Sequence, residues 1–269
     1  MTATAHILAS GPGWRVSDIV CTAGPDDRAF EEEHPQHCIA IVRSGSFRYR
    51  STQGSAVLAP GSLLLGNRGA CFECGHEHAA GDHCLAFQFE PAWLEGIVAA
   101  VPGARQAGFT QAHLPPLPAF ASIIAAAEVA ADHPECLEET ALRLAGAVTS
   151  LLSGAKARTE MPSTRDQRRI TRALRHIEAH CDEALSLDAL ARQAAMSPYH
   201  FLRTFRTLVG MTPHQYVLRT RLHRAALLLR RTGQPVANIA FDCGFGDLST
   251  FNRRFRRVMG ASPSAYRGA

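Results

Sequence analysis

Phe201-Leu-Arg-Thr-Phe-Arg-Thr-Leu-Val-Gly-Met-Thr-Pro-His-Gln-Tyr216 returns fifty residues later as Phe251-Asn-Arg-Arg-Phe-Arg-Arg-Val-Met-Gly-Ala-Ser-Pro-Ser-Ala-Tyr266. Phe201/Phe251, Arg203/Arg253, Phe205/Phe255, Arg206/Arg256, Gly210/Gly260, Pro213/Pro263 and Tyr216/Tyr266 coincide at one offset, so one structural unit is built twice. Two phenylalanines four apart lie on one helical face and point inward. The outward face then carries Tyr199, Leu202, Arg203 and Arg206 in the first copy, and Ser249, Asn252, Arg253 and Arg256 in the second.

Each repeated helix is preceded by a shorter helical stretch, Leu187–Ala194 or Val236–Asp242. Ser197-Pro198 is a strong helix start, a capping hydroxyl followed by a ring that needs no donor, and Asp247 holds the matching place in the second copy. Ala191 stands ten residues before Phe201 and Ala240 eleven before Phe251, which predicts a second turn one residue longer. A short helix, a tight turn and a longer helix with polar N-terminal residues is the helix-turn-helix arrangement, whose second helix enters the major groove. A connecting helix over Pro213–Arg231 would be about 28 Å long at 1.5 Å per residue. That suits two reading helices in successive grooves, roughly 34 Å apart.

The charge distribution agrees. The chain has 269 residues and a net charge of +4, but residues 1–164 hold 10 Lys+Arg against 17 Asp+Glu, and residues 165–269 hold 18 against 7. All 18 basic residues of the rear are arginine, the side chain suited to phosphate and guanine, so the rear is the part expected to meet a polyanion. No window approaches the roughly 18 apolar residues of a membrane span, and Met1–Trp14 lacks a leader pattern. A cytoplasmic protein without membrane partners is expected.

Ahead of the arginine-rich half, short apolar runs such as Cys38–Val42, Leu63–Leu65 and Leu85–Phe89 alternate with turns at Ser44-Gly45, Gln53-Gly54 and Pro60-Gly61, predicting a small β-barrel within residues 1–117. Residues 118–153 change to Ala- and Leu-rich helical spacing: a helical pair that packs on the barrel, on a second copy, or on both. Residues 154–165 read as a linker, and residues 166–269 as an all-helical double helix-turn-helix domain. The fold class expected is α+β.

The chain resembles the AraC/XylS family of bacterial transcription regulators. Ala191, Met196-Ser197, Phe201, Phe205, Gly210, Pro213, Ala225, Leu229, Ile239-Ala240, Gly244-Phe245, Asp247, Ser249, Phe251, Phe255, Gly260, Ser262-Pro263 and Tyr266-Arg267 stand where that family's pattern has them. By position, the resemblance implies base reading by Tyr199, Leu202 and Arg203 and by Leu248, Ser249 and Arg253. Leu202 and Leu248 cannot hydrogen-bond a base edge but could meet a thymine methyl, while Arg203 and Arg253 suit guanine. Asn252, Arg206, Arg254, Arg256 and Arg257 are the candidate phosphate contacts. Residues 15–95, with Ala59-Pro-Gly-Ser-Leu-Leu-Leu-Gly-Asn67, are similar to the cupin-like sensor domain often joined to this DNA-binding half.

One segment adds chemistry. Cys71, Cys74, His76, His78, His83 and Cys84 fall within fourteen residues, where 8 Cys and 13 His in 269 would place about one. If the segment is extended, Cys74, His76 and His78 share a face, and with Cys71 or Cys84 they are candidate ligands for zinc or a similar ion. A thiol sensor and plain buried residues are the other two readings. The function expected is a sequence-specific, double-stranded DNA-binding regulator, not an enzyme. It would answer to a small molecule, metal or redox signal, act as monomer or homodimer, and have RNA polymerase as a candidate partner. The alternative is a metal- or thiol-dependent enzyme or repair protein with a fused DNA-binding domain.

Overall fold

The computed structural model describes residues 3–27, 29, 31–76, 81–154 and 162–268. The chain divides into two compact units, Met1–Thr159 and Glu160–Ala269. Most of the stretch 154–165, read as a linker, lies outside the described residues.

The first unit contains two antiparallel sheets. One has six strands in the order β1 (Ala3–Gly11), β2 (Trp14–Cys21), β9 (Asp82–Phe89), β4 (His37–Gly45), β7 (Leu63–Gly66) and β10 (His113–Leu114). The other has four, in the order β3 (Glu31–Glu33), β8 (Cys71–Gly75), β5 (Phe47–Ser51) and β6 (Gly54–Leu58). Strand pairing among the described residues does not close into a ring, so the barrel expectation becomes an open two-sheet arrangement with its core between the sheets. Phe47, Tyr49, Leu58, Leu64, Val42 and Ala86 form that core. The three turns read from sequence each hold a glycine at positive φ: Gly45 (79°), Gly54 (138°) and Gly61 (87°). At Gly45 the requirement is double, because a Cβ would meet the Gly81 carbonyl oxygen at 2.3 Å.

Three α-helices and a short 3-10 turn complete the unit among the described residues. α1 (Pro91–Ala100) falls inside the stretch expected to be barrel, and α2 (Pro118–Ala131) and α3 (Leu137–Leu152) form the expected pair. α3 packs on α1, α2 and strands β1 and β2, so the pair covers a sheet. Its stripe Leu137, Ala141, Leu144 and Val148 is fully buried, as a 3.6-residue period requires, whereas Leu151 is exposed.

The second unit runs α4 (Thr164–Ala179), α5 (Leu187–Gln193), α6 (Pro198–Val209), α7 (Pro213–Arg231), α8 (Val236–Asp242), α9 (Leu248–Met259) and α10 (Pro263–Gly268). The duplication reaches atomic contacts. Phe201 and Phe205 lie 5.6 Å apart with Tyr216 edge-on to Phe205 at 5.9 Å; Phe251 and Phe255 lie 5.4 Å apart with Tyr266 edge-on to Phe255 at 5.4 Å. Both repeated helices end on a left-handed glycine, Gly210 and Gly260, each at φ 78°. Ala191 and Ala240 are fully buried.

The two turns close alike. The Met196 N–H donates to the Ala191 carbonyl at 3.0 Å and the Phe245 N–H to the Ala240 carbonyl at 3.1 Å, each around a residue in left-handed backbone. In the second copy that residue is Gly244 (φ 82°), where a Cβ would meet the Asp182 carbonyl oxygen at 2.6 Å. In the first it is Ala195 (φ 51°), the one non-glycine at positive φ among the described residues. An L-residue there costs roughly 1–2 kcal/mol, part of which is offset because glycine is freer when unfolded. Ala195→Gly is therefore expected to stabilise the second unit by about 0.5–1 kcal/mol. A melting temperature unchanged or lowered would contradict this.

Candidate functional site

Both candidate reading helices have their N-termini set by a side-chain cap. Ser197 Oγ accepts from the His200 N–H at 3.4 Å, and Asp247 Oδ1 accepts from the Thr250 N–H at 2.7 Å. That Thr250 N–H bond, first among its causes, holds the Asp247 carboxyl below the usual carboxylate range. The turns comprise residues 194–197 and 243–247, four against five, as the sequence offset implied.

Arg203 and Arg206 on α6, and Ser249, Asn252, Arg253, Arg256 and Arg257 on α9, are exposed. Leu248, at the first turn of α9, is 37% exposed. Two expected positions differ. Leu202 is 2% exposed and belongs to the core. It stands about 60° around the helix from Phe205, at the border of the buried face. α4 packs on α6, and the buried face there takes in Leu202 and Thr204 besides the phenylalanines. The expectation that Leu202 meets a base is thus corrected; its second-copy equivalent, Asn252, stays exposed. Arg254 is half-buried, and burial with its neighbour Arg257 lowers its pKa. Tyr199 is half-buried too, and burial raises its phenol.

Not every arginine is available. Arg221 donates to the Cys181 and Glu183 carbonyls at 2.5 and 2.7 Å, and Arg224 pairs with Asp182 at 2.8 Å, so both tie α7 to the α4–α5 loop. Conversely, α4 presents a stripe that was not singled out from sequence: Arg165, Arg168, Arg172 and Arg175, all exposed, line an open groove that reaches Ala195 in the first turn. The 3-4-3 spacing was the available signal.

In the first unit, a cavity of about 430 Å³ opens between the sheets, lined among others by Cys21, Glu32, His34, Cys38, Phe47, Phe72, Cys74, His76, Asp82 and Cys84. Period-two alternation decides who faces it. Cys74 and His76 line it together, as read from sequence, whereas Cys71 lies on the other face of β8 and is exposed. Cys71 is therefore not brought to Cys74 and His76, a correction to the expected ligand set. His78 lies outside the described residues. His83 also points away, with Nε2 2.6 Å from Asp18 Oδ1, beside an Arg43 that pairs with Asp18 and Glu128.

Burial pushes the Cys38 thiol up to about 12, and raises Cys74 and Cys84 further, mainly through burial and then through Asp82. Glu31 raises exposed Cys71. Burial that disfavours the thiolate makes Cys74 and Cys84 poorer nucleophiles, which weighs against a thiol sensor built on them. His34 Nε2 lies 2.9 Å from the Tyr49 hydroxyl, its ring stacks on Phe72, and burial lowers its pKa to about 4, so it stays neutral.

Residues 190–269 match the model of a helix-turn-helix domain, and residues 20–148 match that of an AraC-like ligand-binding domain. SoxS, a regulatory protein of Escherichia coli K12, is 38% identical over 91 residues, which are 34% of this chain and 85% of SoxS. The chain belongs to the AraC family. LumQ, a probable transcriptional regulator of Photobacterium leiognathi, is also 38% identical over 91 residues, 34% of this chain and 37% of LumQ. The chain therefore matches about a third of LumQ and most of SoxS. A transcriptional regulator with an AraC-type DNA-binding domain from Chromobacterium violaceum has a solved structure at 30% identity, covering 39% of this chain and 95% of that one, with a TM-score of 0.37. Within this AraC-family chain, the ligand-binding match spans nearly every residue lining the cavity. The helix-turn-helix match begins within α5 and takes in both repeated helices.

Proposed function

We propose that this AraC-family transcription regulator reads double-stranded DNA with the exposed N-terminal halves of α6 and α9 and receives its signal in the 430 Å³ cavity of the first unit. One observation carries the reading. Two helices with matching caps, matching aromatic anchors and matching glycine ends both leave an arginine pair outward, Arg203 with Arg206 and Arg253 with Arg256. Everything shared between the copies inside the domain is structural, and what they share outside is charge.

Arg203, Arg253 and Ser249 read bases, with Tyr199 and Leu248 offering apolar contact to thymine. Arg206, Arg256, Arg257 and Asn252 hold phosphate, and the α4 stripe adds sequence-blind attraction. No helix among the described residues is long and apolar enough to cross a membrane. The relatives are regulators, and the second unit is built for binding DNA, so catalysis is not part of the proposal.

The test is the salt dependence of binding. The affinity of the full chain for duplex DNA should fall linearly in log–log form with salt, and Arg256→Ala should weaken specific and random duplex alike and reduce the slope by about 1. An affinity insensitive to salt would contradict the proposal.

A further inference from the structure

Three donors of different chemistry converge at one end of the cavity. Cys21 Sγ, a ring nitrogen of His76 and a carboxylate oxygen of Asp82 all lie within 4.8 Å of one another. We infer that Cys21, His76 and Asp82 form a binding site for a divalent metal ion of the zinc class, the signal-binding role of the first unit being the reading on which this rests.

The backbone places the three together. Cys21 ends β2 directly opposite Asp82, which starts β9, and Gly45 ends β4 opposite the same Asp82. Gly81 and Gly45 let these strand ends close on each other: a Cβ on Gly81 would meet the Cys21 carbonyl oxygen at 2.9 Å, and one on Gly45 the Asp82 Cα at 2.7 Å. His76 arrives from the end of β8, its ring stacked on Phe47 at 5.8 Å. The side chains of His76 and Asp82 are 3% and 8% exposed, and their polar atoms meet at 2.7 Å. The Cys84 thiol donates to the other Asp82 oxygen at 3.3 Å and so fixes the carboxylate's rotation.

The donor set suits the ion. One sulfur, one imidazole nitrogen and one carboxylate oxygen are typical zinc ligands. Binding displaces the Cys21 proton to solvent, and thiolate plus carboxylate then carry two negative charges, which cancel the ion's two positive. Bonds of about 2.0–2.3 Å set donor separations of roughly 3.3–3.8 Å in a tetrahedron. The His76–Asp82 contact therefore opens by about half an ångström, and the cavity leaves the fourth position to water or a small ligand.

Reduced, chelator-stripped full chain titrated with Co²⁺ tests the inference. Expected are saturable binding of one ion per chain, a near-ultraviolet thiolate-to-cobalt band, and displacement by Zn²⁺. Cys21→Ser should abolish the band, and Asp82→Asn should weaken Co²⁺ binding at least about 10-fold, the loss that even a neighbour of a ligand causes. Cys71→Ser should change neither. If Cys21→Ser does not fold, as judged by circular dichroism, His76→Gln and Asp82→Asn decide the matter. Absence of saturable binding by the folded parent, or a band that survives Cys21→Ser, overturns the site. Duplex-DNA binding is measured on the same preparation. A chain that binds duplex DNA but no Co²⁺ overturns this inference and leaves the regulator; a chain that binds Co²⁺ but no duplex DNA overturns the regulator and leaves the ion site.

Discussion

Phe255→Ala is expected to lose about 3–5 kcal/mol of stability, the usual cost of emptying a large aromatic site in a core. Phe255 is fully buried among Leu222, Ala225, Leu229, Ile239, Ala240, Cys243, Phe245 and Phe251, and it touches the rings of Phe251 and Tyr266. Its neighbours come from α7, α8, α9 and α10, so no single helix can move in to fill the space. Small domains are stable by only about 5–15 kcal/mol, and a 1 kcal/mol change shifts the melting temperature of a unit this size by about 4 °C or more. A fall of more than about 10 °C in the transition of the second unit follows. Because the chain holds two compact units, the transition of the first should stay where it is. A shift under about 3 °C, or equal shifts of both transitions, would contradict the assignment of this residue to an autonomous core.

Arg253→Ala is expected to relax sequence preference, with about 1–3 kcal/mol of discrimination lost at one or two base pairs. The reasoning is positional. Arg253 is exposed in the second turn of a helix that Asp247 caps, and Asn252 and Arg256 flank it outward. A guanidinium there presents a fork to O6 and N7 of guanine, which an aliphatic side chain cannot imitate. Binding to the preferred duplex should drop by roughly 5- to 150-fold while binding to random duplex changes little. Equal losses on both would move Arg253 to the phosphate contacts.

Much of the second unit was legible because its sequence states everything twice. Phe-x-x-x-Phe spacing, Ser197 and Asp247 as caps, glycines at 210 and 260, and the extra residue at 243–247 each have one local physical consequence, and the structure shows each of them. Leu202 was misread because a helical wheel gives an angle and not the width of the buried face; that width depends on α4, which comes from outside the repeat. The arginines of α4 belong to no repeated phrase, so nothing in the repeat marks them. Arg221 and Arg224 look like any other basic residue in sequence, and only the α4–α5 loop they bind sets them apart.

The first unit was legible as strands and turns, each expected Gly turn holding positive φ, but not as an arrangement. β1 and α1 carried too weak a period to be read. In the Cys/His segment, alternation correctly joined Cys74 to His76 and set Cys71 apart only once the strand's extent was known. Cys21 had no partner in sequence because its partner is Asp82, sixty-one residues away, and only the β2–β9 register brings them together.

That one chain carries two unequal reading helices is tested most directly by selecting bound duplexes from a random pool with the 269-residue chain and sequencing them. Enrichment of two different short elements spaced about one helical turn, roughly 10 base pairs, apart is expected. With Leu202 withdrawn into the core, half-buried Tyr199 and Arg203 are what the first helix presents, whereas Ser249, Asn252 and Arg253 make the second more polar, so the elements should not be copies of one another. A single enriched element, two identical ones, or no enrichment above the starting pool would contradict it.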